Sequence, residues 1–499
     1  MTFKEKTEYE NLMDIMTDDP LAPKEKNVLF EAEHINKPYP ASSSYYKNLY
    51  VHFRNKEDLV EFANIIKVPM TINSRVIDYP YRRSALWSHV DNYWAEEKRK
   101  KRTAKEKRFD NSLFDHGADE PEWKRHWMDM PAFDNPANPP YHSITIRFLD
   151  EPNYQYFAER IGQKLTEKTK TIWHPNRGID NIKGLIWHDT SGPTQPKYPL
   201  ATISKGRADS MLTSKSLTKM RIHHYIIIEP QDEAPYEEAL DKFGLREYAT
   251  LIVAPFSNHG DGPGRARNYW WDYSKEVLGA EKHWVMDDNI VDFYRFQNNK
   301  RIRVDSGALF ASCEDFMDRF SNVLMAGLQY RFFIAPDQAY PAYVKNTRIY
   351  SCNLIDNSCP WRWRGRYNED TILSLDIMDN GYCTIQFNHF LQGKAATQTV
   401  GGGNTAEFYH AEGDQDKEKW DRGHSYNAMG TLNKSQMLVD AYPQYSTLMW
   451  RYDRWHHYVD YSHFKDIPLE YKNPCREIVI EGWDKPNEYN LELVVKDDM

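Results

Sequence analysis

HWVMDDNIVDF, residues 283–293, runs an apolar lead-in (Trp284, Val285, Met286) into Asp287, Asp288 and Asn289, then resumes with Ile290, Val291 and Phe293. Carboxylates enclosed by apolar residues read as the polar tip of a buried strand, although Asp and Asn also end strands as ordinary turns. Outward from this stretch, strand-like and helix-like segments alternate. LATIS (200–204), HHYIIIEP (223–230) and ATLIVAPF (249–256) have the apolar runs of strands. ADSMLTSKSLTKM (208–220) and PYEEALDKFG (235–244) have helical patterning, and a turn, HGDGPG (259–264), precedes a helix starting near Ala266. That order predicts a largely parallel α/β sheet of nucleotide-binding type, whose ligands gather beyond the carboxyl ends of the strands. Asp287 and Asp288 fall at such an end.

The chain of 499 residues is too long for one ordinary core and predicts about two to four domains. One internal repeat stands out. Asn48–Arg82 aligns without gaps to Ser143–Arg177, placing Phe53 on Phe148, Phe62 on Phe157, Ala63 on Ala158, Ile66 on Ile161 and Ile77 on Ile172. Each copy opens with period-two alternation and continues with an amphipathic helix, so two strand-helix-strand units are expected to pair into one small α+β domain. Nothing in either copy suits catalysis, which leaves binding or assembly. The Pro-rich HDTSGPTQPKYP (188–199) marks a boundary. The expected division is an N-terminal extension (1–47), the duplicated domain (48–187), an α/β domain (200–465) and a C-terminal extension (466–499).

A net charge of −9 argues against a protein that coats nucleic acid, since phosphate binding is driven by Lys and Arg. Global charge does not decide local patches, however, and KRKKRTAKEKR (98–108) is a dense basic run, either a solvated helix face or an arm for DNA. No apolar run approaches the roughly 20 residues that span a bilayer, and the N-terminus lacks the apolar core of a signal peptide, so a cytoplasmic protein is expected. Five cysteines with no metal spacing (Cys313, Cys352, Cys359, Cys383, Cys475) read as free thiols.

Four constellations offer chemistry. Asp287, Asp288 and Asn289 are closely spaced oxygen ligands, suited to Mg²⁺ or Mn²⁺, which in turn neutralises a diphosphate. GDGPGRARN (260–268) pairs glycines that admit close backbone approach with a helix N-terminus and with Arg265 and Arg267, as an anion site or as a plain turn. In WRWRGRYNEDT (361–371) Asn368 is expected to cap a helix whose first turn holds Glu369 and Asp370. The basic aromatic edge before that helix would let one of these acids serve as a general base. TQTVGGGNTAEFYHAEG (397–413) joins a glycine run to His410, a structural imidazole or a metal ligand.

SKGRA (204–208), GPGRARN (262–268), HWVMDDNI (283–290), NTRIYSCNLI (346–355), WRGRYNEDT (363–371) and GGNT (402–405), in this order, resemble the TET-associated glycosyltransferases, phage enzymes of the GT-A fold that act on hydroxymethylated pyrimidines in DNA. The resemblance spans about 200–465. It implies an α/β, GT-A type nucleotide-sugar-binding domain behind the small α+β domain of two repeats. It further implies that Asp287, Asp288, Asn289 and His410 hold a divalent metal, with Asn289 standing where the usual motif ends in Asp. Ser204, Lys205, Gly206, Arg207, Gly264, Arg265, Arg267, Asn268 and Asp287 would then bind a nucleotide sugar, a UDP-sugar. Asp370, paired with Glu369, would be the base, and Trp363, Arg364, Arg366, Gly402, Gly403 and Asn404 would line the acceptor. The implied reaction moves a sugar, with glucose or arabinose as candidates, to 5-hydroxymethylcytosine or another 5-hydroxymethylpyrimidine of DNA in the host cytoplasm. Two other readings are a GT-A enzyme acting on protein or small glycans, and a non-catalytic DNA-binding or assembly protein built on the repeat domain.

Overall fold

A computed structural model of the chain describes residues 45–79, 121–137, 139–167, 169–176, 182, 184–336, 338–395, 427–451, 454–473 and 486–495. The chain divides into two compact units, Leu29–Pro121 with Ala137–Lys183, and the remainder. Glu122–Pro136, which lies inside the segment read from the sequence as the duplicated domain, belongs to the larger unit.

In the smaller unit the repeat is visible in three dimensions. Strand β1 (Lys47–Phe53), helix α1 (Lys56–Ile66) and strand β2 (Val76–Tyr79) form one copy. Strand β3 (His142–Phe148), helix α2 (Glu151–Arg160) and strand β4 (Thr171–His174) form the other. The sheet order is β2-β3-β1-β4, with β1 and β3 antiparallel at the centre and each parallel to its outer neighbour, β4 beside β1 and β2 beside β3. Equivalent residues do equivalent work. Asn55 caps α1 by accepting from Asp58 N–H at 2.8 Å, and Asp150 caps α2 by accepting from Asn153 N–H at 2.8 Å. Phe53 meets Phe62 edge-on with ring centres 5.2 Å apart, as Phe148 meets Phe157 at 5.0 Å. Alternation in each strand turns one set of side chains, among them Leu49, Val51, Ile144 and Ile146, into this common core.

The larger unit is built on a ten-stranded mixed sheet. Strand β5 (Leu185–Asp189) leads into β6 (Leu200–Ile203), helix α3 (Leu212–Lys219), β7 (His224–Ile228), helix α4 (Glu233–Lys242), β8 (Ala249–Val253), helix α5 (Gly264–Asp272), β9 (Lys282–Asp287) and β10 (Ile290–Gln297). Then come β11 (Lys300–Arg303), helix α6 (Ala308–Asp318), β12 (Val323–Tyr330), β13 (Tyr343–Lys345), β14 (Cys352–Asp356), helix α7 (Glu369–Asp379) and β15 (Cys383–Lys394). Helix α8 (Asn427–Ala441) and strands β16 (Ser446–Arg451), β17 (Arg454–Val459) and β18 (Leu491–Val495) follow. The order β11-β10-β15-β12-β14-β9-β6-β7-β8 places β9 near the middle, parallel to β6 and antiparallel to β14. β6, β7 and β8 are also mutually parallel, as are β12 and β15, so this half of the sheet directs its carboxyl ends to one side. The α/β class expected from the sequence is the one observed, and β9, whose Trp284, Val285 and Met286 have no exposure, is the central strand it predicted.

Two details depart from the expectation. The helix after β6 begins at Leu212, because residues 207–210 form a turn held by Arg207 C=O accepting from Ser210 N–H. Asn368 does not cap α7: its backbone is left-handed (φ 53°) and its side-chain amide donates instead to Lys434 C=O at 2.6 Å. Four cysteines, Cys313, Cys352, Cys359 and Cys383, are free and buried, whereas Cys475 lies outside the described residues. Among the described residues no helix is long and apolar enough to cross a membrane.

Candidate active site

β9 turns into β10 through Asp288 and Asn289 alone. Thr213, in the first turn of α3, clamps that turn: its hydroxyl donates to Asp287 C=O at 2.7 Å and accepts from Ile290 N–H at 2.9 Å. One side chain thus satisfies both rims of the turn, so the two carboxylates leave a rigid backbone. Ala395 N–H donates to Asn289 C=O, tying the far end of β15 to the same turn.

Each carboxylate has its own partners. Asp287 accepts from Arg267 Nη2 at 2.6 Å, from Ser351 Oγ at 2.7 Å and from Lys394 Nζ at 3.0 Å. Burial alone would raise its pKa, but the charges of Lys394 and Arg267 and the Ser351 hydrogen bond outweigh burial and hold the carboxyl well below the usual range. Asp288 accepts from Ser204 Oγ at 2.7 Å and is ion-paired with Arg207. Here burial wins over Arg207 and Ser204, so the carboxyl is raised. The Asn289 Oδ1 is buried with no hydrogen-bond partner, an acceptor left open beside two carboxylates.

The loop after β6 is shaped by α4 and the turn before it. Gly206 takes φ 60°, the left-handed conformation that glycine adopts without strain, and its N–H donates to Asp232 at 3.0 Å. Tyr236 accepts from Arg207 N–H at 3.1 Å and shares a hydrogen bond with Ser204. Lys205 Nζ lies 3.4 Å from Glu229. Ser204 and Arg207 therefore reach the Asp288 carboxylate, while Lys205 and Gly206 hold the loop through acids of the neighbouring turn.

Arg267 joins this cluster to α7. Its guanidinium is only 4% exposed, lies over the Trp363 ring at 4.8 Å, and holds Nε 3.6 Å from Glu369 Oε1. Its Nη1 has no hydrogen-bond partner. Glu369 and Asp370 open α7, where the helix dipole favours carboxylates. Burial, then the charge of Asp370, push the Glu369 carboxyl up to about 7, with Arg267 pulling the other way. Asp370 Oδ1 accepts from Thr371 N–H at 2.7 Å.

The remaining residues read from the sequence divide into supports and outliers. Asn268 bridges the Trp363 backbone in both directions, donating to its C=O at 2.8 Å and accepting from its N–H at 3.1 Å. Gly264 lies against the same residue, where an added Cβ would sit 3.6 Å from Trp363 C=O. Arg265 is turned away, ion-paired with Asp261 in the turn before its helix, and Arg364 is held by Asp376 and Tyr442. Arg366 backs the glycine turn: a Cβ on Gly262 would meet its carbonyl oxygen at 2.5 Å. Gly402, Gly403, Asn404 and His410 lie outside the described residues. Among the described residues no group of three His, Cys, Asp or Glu side chains is disposed to hold a metal.

Sequence reasoning missed Thr213, Tyr330, Ser351 and Lys394. Lys394 Nζ is within 3.1 Å of Ser351 Oγ and 3.4 Å of Tyr330 Oη. Tyr330 and Lys394 end the parallel strands β12 and β15, so the rule that ligands gather at carboxyl ends was the one signal able to find them.

Residues 198–403 match the family described as TET-Associated Glycosyltransferase. No curated protein matches the chain. Among solved structures it is similar to apo mouse xyloside xylosyltransferase 1, at 8% identity over 37% of this chain and 72% of that one. The TM-score is 0.19, too low to bear on fold or activity.

Proposed function

We propose, for a glycosyltransferase whose residues 198–403 match the TET-associated glycosyltransferase family, that the donor is a UDP-sugar and the acceptor the hydroxymethyl group of a 5-hydroxymethylpyrimidine in DNA, 5-hydroxymethylcytosine first. The observation that carries the reading is the buried chain of charge from Asp288 and Asp287 through Arg267 to Glu369, two carboxylate pairs linked by one guanidinium at the carboxyl end of β9.

The residues suit a divalent cation. Asp287, Asp288 and the unpartnered Asn289 Oδ1 present hard oxygens from one rigid turn, and Mg²⁺ characteristically takes its remaining ligands from water and substrate phosphate. When bound, Mg²⁺ or Mn²⁺ would offset charge growing on the leaving diphosphate.

In the proposed step the hydroxymethyl oxygen attacks the anomeric carbon, the bond from that carbon to the diphosphate oxygen breaks, and Asp370 takes the hydroxyl proton. A primary alcohol is a poor nucleophile at neutral pH, so the proton must leave as the new bond forms. Glu369 sits beside this base and keeps its carboxyl oriented toward Arg267. Arg207, Arg267 and Lys394 supply fixed positive charge for the diphosphate, and their anchoring on Asp287 and Asp288 removes the cost of reorganising them during reaction.

The test is direct. The protein is incubated with DNA containing 5-hydroxymethylcytosine or 5-hydroxymethyluracil, Mn²⁺ and a panel of UDP-sugars, and digested nucleosides are weighed by mass spectrometry. A hexosyl or pentosyl mass increment on one base supports the reading. No increment with any donor, while a UDP-sugar still binds, would sink this acceptor and favour a protein or glycan one.

A further inference from the structure

NTRIYS, residues 346–351, joins β13 to β14 as a short arch. Both of its ends are left-handed, Asn346 at φ 59° and Ser351 at φ 66°, a conformation that such residues keep only where their surroundings over-determine it. Hydrogen bonds at three points do so. At one foot Asn346 Nδ2 donates to Phe464 C=O at 2.8 Å and to Ile467 C=O at 3.1 Å. At the other, Ser351 Oγ donates to Asp287 at 2.7 Å and Ser351 C=O accepts from Asp287 N–H at 2.8 Å. Between them Ile349 N–H donates to Ser374 Oγ at 3.1 Å, and that hydroxyl donates to Asp370 C=O at 2.8 Å. The arch is thus fixed both to the acidic turn after β9 and to the helical turn that carries the proposed base. Ile349 is buried in the core, whereas Arg348 and Tyr350 on either side of it are half-buried, the Arg348 guanidinium 5.1 Å from the Tyr350 ring centre.

We propose that Arg348 holds a phosphate of the acceptor strand beside the nucleotide that receives the sugar, an assignment that rests on the DNA acceptor proposed above. Three observations carry it. First, Arg348 lacks an anion. Arg207, Arg267 and Lys394 each pair with a carboxylate of the β9 turn and Arg364 pairs with Asp376, whereas among the described residues no carboxylate lies within ion-pair distance of Arg348. The Tyr350 ring supplies a cation–π contact but no negative charge. Second, Arg348 stands by the proposed base. Ser374 ties its neighbour Ile349 to the Asp370 turn, and although burial alone would lower the Arg348 pKa, Tyr350, Tyr461 and the Asp370 carboxylate outweigh burial and raise it. Third, the nearby charge has the same sign. Lys434 of α8, whose C=O accepts from Asn368 at the head of α7, acts with Arg348 on His457 of β17: burial first, then these two cations, hold that imidazole well below its usual range. A guanidinium without a carboxylate, with a second cation in reach, suits the fork-like recognition of phosphate. The donor diphosphate is a poorer match, because the cations proposed for it stand at Asp287 and Asp288, beyond the Ser351 foot of the arch. A phosphate contact fixes where a strand lies and not which base it presents, so Arg348 would bring the hydroxymethyl group to Asp370 without choosing the pyrimidine.

The experiment uses the full chain with UDP, Mn²⁺ and a fluorescein-labelled duplex oligonucleotide carrying one 5-hydroxymethylcytosine, its binding followed by anisotropy without transfer. A neutral methylphosphonate replaces each phosphate in turn. In the unaltered protein affinity is expected to fall about tenfold at one position adjoining the modified nucleotide, the size of a hydrogen-bonded contact to a charged group. Arg348→Ala is expected to lose a similar factor on the all-phosphate strand and to become indifferent to that methylphosphonate. Its slope of log affinity against log salt should be shallower by about one. Arg348→Lys is expected to recover part of the loss, and UDP affinity, measured by calorimetry, to stay unchanged in both variants. A methylphosphonate profile that is flat in wild type, or equally peaked in Arg348→Ala, would overturn the proposal. So would a loss of UDP affinity in Arg348→Ala, which assigns the residue to the donor, or an unchanged strand affinity with a displaced pH profile of transfer, which makes it a positioning group for Asp370. The methylphosphonate series on the unaltered protein decides the matter even if Arg348→Ala does not fold. Strand binding that peaks at one phosphate while no donor gives transfer upholds this proposal and sinks the transfer reading, and transfer with a flat profile does the reverse.

Discussion

Arg267 donates through Nη2 to Asp287 at 2.6 Å, from the helix that follows the glycine turn to the tip of the central strand. The same guanidinium reaches toward Glu369, so a single side chain sets the spacing between the carboxylates proposed to bind the donor and the proposed base pair. Arg267→Lys keeps the charge but loses the planar fork that spans both partners. A fall of kcat/KM on the order of 10²-fold is expected, the size seen when one preorganised donor is removed from a reacting charge. Steady-state kinetics with the preferred UDP-sugar checks this, and near-native kcat/KM would show that the link is structural only.

Asn289 is the residue whose oxygen lacks a partner beside Asp287 and Asp288. Removing that acceptor in Asn289→Ala is expected to weaken Mn²⁺ binding about tenfold or more, while Asn289→Asp adds a carboxylate and tightens it. Titration of Mn²⁺ by electron paramagnetic resonance measures both. Identical affinities across the three proteins would place the cation elsewhere.

Burial and the charge of Asp370 raise the Glu369 carboxyl to about 7. If transfer needs this pair ionised, kcat/KM rises with pH through an acid limb near neutrality. Glu369→Gln removes the negative neighbour and is expected to move the limb to lower pH with partial activity. Asp370→Asn is expected to cost at least about 10²-fold at every pH. A limb unmoved by Glu369→Gln assigns it to another group.

Glu314, wholly buried on α6, accepts from Lys197 N–H at 2.8 Å, Tyr198 N–H at 3.2 Å and Trp284 Nε1 at 2.7 Å. Burial outweighs these donors and pushes its carboxyl up to about 7. A folded-state pKa above the unfolded one gives stability that is fully present below about 4.5 and lost as pH rises through about 7. The loss amounts to roughly 3 kcal/mol at about 1.4 kcal/mol per pKa unit. Glu369 acts in the same window with the same sign, so the comparison is between wild type and Glu314→Gln, whose denaturation midpoint should depend less on pH between 5 and 8. Parallel pH profiles for the two proteins would refute this.

The period-two strands of both repeats, the alternation from β6 to β9 and the placement of Asp287 at a strand end were legible in the sequence, because each depends on neighbours within a few residues. Locality also sets the duplicated helix caps Asn55 and Asp150, which only the structure brought out. It misled at Asn368, whose composition suits a cap but whose amide is claimed by Lys434, 66 residues away.

By itself, then, the sequence determined which segments become strands and helices and which carboxylates stand at their tips, since burial patterns and turn chemistry act along the chain. Only the tertiary structure decided the charge environment of those tips. Arg265 and Arg267 look alike in GPGRARN, yet helical phase turns one to Asp261 on the surface and the other to Asp287 in the interior. Lys394, 107 residues from Asp287, arrives through the pairing of β15 with β10 and β12, a long-range register that no local pattern encodes.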